Sequence, residues 1–202
     1  MIRRAVACGS VVAVVLLLDM GPLSGAGASI TGTVKVTGLA SNADAVVYVQ
    51  QAPGTFPPAK LVEMDQRKFQ FIPRVLPVVL GTTVRFLNSD PTHHNVFSPS
   101  NEKYNLGTWP QGQTKDFMFS KCAKPPCVYT QLCLVHPEME GFVVVLQNPF
   151  FAVTNKDGHY EIGNVPPGSY ALGVWHAKGK SQPKPVTVAA GKPAVVDFTL
   201  AR

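Results

Sequence analysis

The sequence predicts an all-β protein, and three observations predict it. After residue 28 no stretch carries the apolar period of a long amphipathic helix. The apolar residues fall instead in short segments rich in Val, Phe, Tyr and Thr. Between them, 18 prolines and 17 glycines recur often enough to turn the chain at short intervals.

Taken in order, Thr31 to Val36 alternates as T-G-T-V-K-V, and Ala45 to Gln50 is a buried-looking A-V-V-Y-V-Q. Lys68 to Ile72 alternates as K-F-Q-F-I. Gly81-Thr82 turns into a strand ending at Leu87. Lys115 to Ser120 reads K-D-F-M-F-S, and Gly141 to Leu146 is a continuous apolar run. A second pattern starts near Asn148-Pro149. Phe151 to Thr154 leads into the hairpin signal Asn155-Lys-Asp-Gly158 and then His159 to Ile162. Val165-Pro-Pro-Gly168 turns before Tyr170 to Trp175, and Lys184 to Val188 and Ala194 to Leu200 complete the set.

The first residues read as an export signal. Arg3 and Arg4 precede the short apolar run Val11 to Leu18, Asp19 interrupts it, and Ala26-Gly-Ala28 has a small-x-small form. Residues 1–28 are therefore expected to be removed, placing the mature chain in the periplasm or outside the cell without a membrane span. An uncleaved anchor is the alternative. Losing two positive charges and one negative takes the formal net charge from +6 to +5. The remaining basic residues are scattered, without the aromatic interleaving of a nucleic-acid surface. They suit docking to an acidic partner, or simple solubility.

Three cysteines remain after residue 28: Cys122, Cys127 and Cys133. An odd number in an oxidising compartment leaves one thiol to explain. Cys133-Leu-Val-His136-Pro-Glu-Met139 offers a thiolate, an imidazole and a thioether three residues apart, just before an apolar strand. Soft sulfur donors with imidazole suit copper; a thioether is a poor ligand for zinc. A second imidazole is available in Asn88-Ser-Asp-Pro-Thr-His-His94-Asn95. Adjacent residues on extended chain face opposite ways, so either His93 or His94 can turn inward, but not both.

These residues resemble the cupredoxins, the blue-copper family. The His94-Asn95 pair matches the family's upstream ligand motif, and Cys133 to Met139 matches its short Cys-x-x-His-x-x-Met loop. The resemblance covers roughly residues 30 to 147 and implies a Greek-key sandwich. It also implies one type 1 copper ion, with His94, Cys133 and His136 as trigonal ligands and Met139 as the weak axial one. Asn95 would tie the two ligand segments together, and His136 would be the port for the electron. Glu138 departs from the pattern, standing where the amicyanin-type loop has an aromatic residue. Cys122-Ala-Lys-Pro-Pro-Cys127 is an addition to it. The latter two cysteines are expected to form a disulfide around Pro125-Pro126, with a second thiolate metal site as the alternative.

Thr154 to Ile162 followed by Val165-Pro-Pro-Gly-Ser-Tyr170 resembles the carboxypeptidase regulatory-like, or transthyretin-like, domain. Its matched residues are turn-makers and core positions, with Gly158 and Gly168 expected at positive φ. Trp175 is read as core and His176 as its solvated neighbour. The expected division is residues 29–147 for the copper domain and 148–202 for a small C-terminal β-sandwich leaning on it.

The function these readings predict is a non-enzymatic carrier of single electrons between redox proteins. Two alternatives stay open: copper sequestration or delivery, and an envelope-associated binding module whose copper site is secondary. No His-x-His pair or His-Cys-His is present to build a multicopper oxidase centre.

Overall fold

The computed structural model describes residues 27–201. The expected leader lies outside the described residues except for Gly27 and Ala28, and Ala28 already belongs to a strand. All regular structure among the described residues is β. No helix there is long and apolar enough to cross a membrane.

Two strands come first, β1 (Ala28–Val36) and β2 (Val46–Val49). Nine follow: β3 (Val62–Gln66), β4 (Phe71–Ile72), β5 (Val75–Val79), β6 (Thr83–Asn88), β7 (His94–Ser98), β8 (Tyr104–Trp109), β9 (Thr114–Met118), β10 (Cys127–Leu132) and β11 (Glu140–Leu146). The last six are β12 (Phe151–Val153), β13 (His159–Val165), β14 (Gly168–Trp175), β15 (Lys184–Val188), β16 (Ala194–Val195) and β17 (Phe198–Leu200).

They build two sandwiches. In the first, the sheet β5-β11-β10-β7-β8 lies against β4-β3-β6-β9. The core between them includes Met64, Phe86, Trp109, Tyr129, Val143 and Val145. In the second, β12-β2-β14-β15 lies against a sheet in which β1 pairs with β13, β16 and β17. Ile30, Val36, Val47, Ile162 and Leu172 fill that core.

The expected cut at residues 147 and 148 is not the one the strands follow. β1 pairs antiparallel with β13 and parallel with β16 and β17, while β2 pairs with β12 and β14. The second sandwich is thus built from both ends of the chain, and the first is inserted between β2 and β12. The physical reason is that alternation fixes which face of β1 is buried, but not which distant edge completes its ladder.

Two strands join the halves. On β2, Val47 and Val49 enter the second core, while Val46 and Tyr48 point the other way. On β11, Val143 and Val145 enter the first core, while Phe142, Val144 and Leu146 meet Val46 and Tyr48 in a shared third cluster. This explains why both read as continuous apolar runs: strands covered on both faces have no polar side to show. Arg74 reinforces the joint, reaching Asp44 at 3.4 Å and Glu140 at 2.9 Å beside the Phe142 ring.

Two local expectations change. Lys68 and Phe69 form a turn rather than opening a strand, leaving only Phe71–Ile72 as β4. Gly158 does take a positive φ, 87°, and a Cβ there would lie 2.2 Å from the carbonyl oxygen of Val34. Gly168 is not at positive φ; it starts β14, where a Cβ would press on the Tyr170 ring at 3.0–3.2 Å.

Candidate metal centre

The upstream segment is shaped by side chain to backbone hydrogen bonds. Asn88 ends β6 and is buried; its amide donates to the carbonyls of Thr92 at 2.8 Å and Trp109 at 3.0 Å. Its Oδ1 accepts from the Asp90 N–H at 3.0 Å, an Asx turn that starts the loop. The chain re-enters a strand at His94, opposite Trp109 on β8. His94 is fully buried and His93 is exposed, so the alternation between the pair is decided in favour of His94 facing inward.

The downstream segment leaves β10 at Cys133, turns, and returns as β11. The Met139 N–H donates to the His136 carbonyl at 3.0 Å, closing a turn with Pro137 at its second position, where proline's fixed φ is favourable. Cys133 and Met139 are buried, His136 is half-buried, and Leu134 and Val135 are exposed. Cys133 is the free thiol among the described residues, because Cys122 and Cys127 form a disulfide.

The two segments meet at three donor atoms. Cys133 Sγ lies 3.9 Å from His94 Nδ1 and 3.8 Å from His136 Nδ1, and the two nitrogens are 3.0 Å apart. Metal bonds of about 2.0–2.1 Å to nitrogen and about 2.3 Å to sulfur span all three separations, so one ion can touch every donor at once. No other His, Cys, Asp or Glu group of three among the described residues comes together in this way.

Asp90, which sequence reasoning passed over, orients this group. Its Oδ2 lies 2.8 Å from His94 Nε2. An ionised carboxylate only accepts, so Nε2 carries the proton and Nδ1 turns its lone pair toward Cys133. Burial opposes ionisation of Asp90, but N–H groups of Phe69 and Lys68, together with His94, outweigh it and hold the carboxyl below its usual range. A carboxylate four residues before a candidate ligand histidine was the available signal. The far nitrogen of a metal-binding imidazole needs a hydrogen-bond partner, and Asp90 is the carboxylate within reach.

Asn95 connects the segments. Its backbone N–H donates to Cys133 Sγ at 3.3 Å, and its Oδ1 accepts from the Leu134 N–H at 3.2 Å. Its side-chain amide donates to Asn105 Oδ1 at 2.9 Å and to the Gly107 carbonyl at 2.7 Å. Phe69 sets its ring nearly perpendicular to both imidazoles, with centroids 4.9 Å from His136 and 5.7 Å from His94. Outside this centre, Trp175 packs on Phe142 with centroids 5.1 Å apart. His176 is buried rather than solvated; desolvation lowers its pKa, and its Nδ1 accepts the Lys178 N–H.

Comparison with known proteins bears on both halves. Residues 138–201 match the carboxypeptidase regulatory-like domain. That match begins inside the loop before β11 and does not include β1 or β2. No curated protein matches the chain.

The N-terminal part resembles cupredoxin structures. An amicyanin variant in its oxidised state shares 24% identity over 43% of this chain and 82% of its own, with a TM-score of 0.38. A purple cupredoxin from Nitrosopumilus maritimus shares 23% over 42% of this chain and 98% of its own, with a TM-score of 0.38. A copper-containing nitrite reductase from Thermus scotoductus SA-01 shares 24% over 48% of this chain, with a TM-score of 0.39. This chain spans a quarter of that enzyme's length.

Proposed function

We propose that His94, Cys133, His136 and Met139 hold one type 1 copper ion, and that the protein carries single electrons between redox partners outside the cytoplasm. The observation that carries this reading is the convergence of a free buried thiol and two imidazole nitrogens within 3.9 Å of one another. Thiolate and imidazole with a nearby thioether are donors that suit copper. Bound there, copper would supply a one-electron couple between its two oxidation states.

The chain's own part is to hold these donors still. Asp90 fixes the ring and tautomer of His94, Asn95 fixes the start of the cysteine loop, and the Asn95 N–H partly neutralises the sulfur. Donors held in place by their surroundings need little rearrangement when the charge at the centre changes. His136 is the donor with exposed surface, and the basic charge balance suits an acidic partner.

Visible absorption and electron paramagnetic resonance of the copper-loaded full chain test the proposal. An intense thiolate band with a reversible one-electron couple is expected, and Cys133→Ser should remove the band while the β-sheet circular dichroism stays. A wild type lacking both band and couple would reject the reading.

A further inference from the structure

β3 and β4 are joined by a two-residue turn. Arg67 N–H donates to the Gln70 carbonyl at 3.0 Å, and Gln70 N–H donates back to Arg67 at 3.2 Å. The residues between, Lys68 and Phe69, have φ of 56° and 57°. Such turns favour Asn-Gly because both positions are left-handed, and Lys-Phe is a poor choice for them. The turn is held by Asp90, whose Oδ1 accepts the Lys68 N–H at 2.6 Å and whose Oδ2 accepts the Phe69 N–H at 2.9 Å.

The strained turn buries little of Phe69, which remains 46% exposed. A core role therefore does not explain the ring. It meets both imidazoles nearly at right angles on one side. On the other it lines a cleft of about 330 Å³ together with Gln70, Phe71, Arg74, Glu138 and Glu140. Neither His94 nor His136 lines that cleft. Phe69 belongs both to the cleft lining and to the imidazole contacts.

We propose that Phe69 is a partition that keeps small exogenous ligands, entering by the Arg74 cleft, away from the imidazole pair, and that Asp90 is the positioning residue that holds the partition in place. The inference rests on the copper reading above. Strain stored in backbone at a centre of this kind persists only where the surroundings impose it, and here one carboxylate binds both the turn and a proposed ligand.

Azide titration of the Cu(II)-loaded full chain, followed by visible absorption and electron paramagnetic resonance, tests it. Wild type should show no saturable change, whereas Phe69→Ala should show a saturable shift of the thiolate band and of the copper hyperfine splitting. Phe69→Leu should keep azide out, and Phe69→Val replaces the alanine variant if that one does not fold. Asp90→Ala should admit azide although Phe69 is intact. Adding Lys68→Gly to Asp90→Ala should restore exclusion, because glycine accepts positive φ without the carboxylate. A Phe69→Ala or Phe69→Val variant that excludes azide as wild type does would overturn the partition alone. Failure of Lys68→Gly to restore exclusion would overturn the role given to Asp90. A wild type with no thiolate band would remove the copper reading and the partition with it.

Discussion

Asn95 holds Cys133 from the backbone and Leu134 from the side chain, joining β7 to the loop that begins 38 residues later. It is buried, and its remaining amide group donates to Asn105 Oδ1 and the Gly107 carbonyl. The two strands carrying the donor residues touch elsewhere through a single register pair, Leu132 with Phe97. Asn95 therefore supplies much of the register between them.

Replacing Asn95 by Ala leaves the Leu134 N–H and the Gly107 carbonyl without this partner. Each of these part-buried hydrogen bonds contributes about 0.5–1.5 kcal/mol, so a loss of that order is expected in urea unfolding of the metal-free protein. Asn95→Ala should also release bound metal faster than wild type. An unchanged unfolding midpoint would show that the clasp is dispensable.

The turn over the centre makes an opposite claim. Left-handed backbone costs a residue with a Cβ about 1–2 kcal/mol, and Lys68 is at φ 56°. Lys68→Gly should therefore raise stability by up to about 1 kcal/mol, since glycine also gains freedom in the unfolded chain. A thermal melt of the metal-free protein reads this directly. A lower midpoint would mean that the Asp90 contacts already remove the strain.

Asp90 also sets a pH dependence. Its folded pKa lies below the ordinary value, so its contribution is complete above the unfolded pKa of about 3.9 and is lost as pH falls through the folded value. Urea unfolding of metal-free protein from pH 6 downward should show Asp90→Asn less stable than wild type at pH 6, with the two curves converging in acid. Parallel curves would contradict this account.

The nesting of the two sandwiches predicts how the chain fails when cut. Removing residues 149–202 strips β1 of β13, β16 and β17, and exposes Ile30, Val34, Val36, Val47 and Val49. Limited proteolysis with mass spectrometry should then find rapid cleavage between residues 28 and 56, with the inserted β3–β11 sandwich cut more slowly. Protection of the N-terminal strands in that truncated chain would show that they pack without their present partners.

The class of the fold, most strand positions, the spare thiol and the candidate donor set were legible in the residues alone. Residue type and short-range period are local properties, and Cys133-x-x-His136-x-x-Met139 is a local pattern. The disulfide between Cys122 and Cys127 was legible for the same reason. Which distant groups meet depended on the packed fold: β1 with β16 and β17, Asp90 with His94, and Phe69 with both imidazoles. Even the inward choice of His94 over His93 depended on where the rest of the sheet lay. Alternation says that two neighbours face opposite ways, but only the packed sheets say which way is inside.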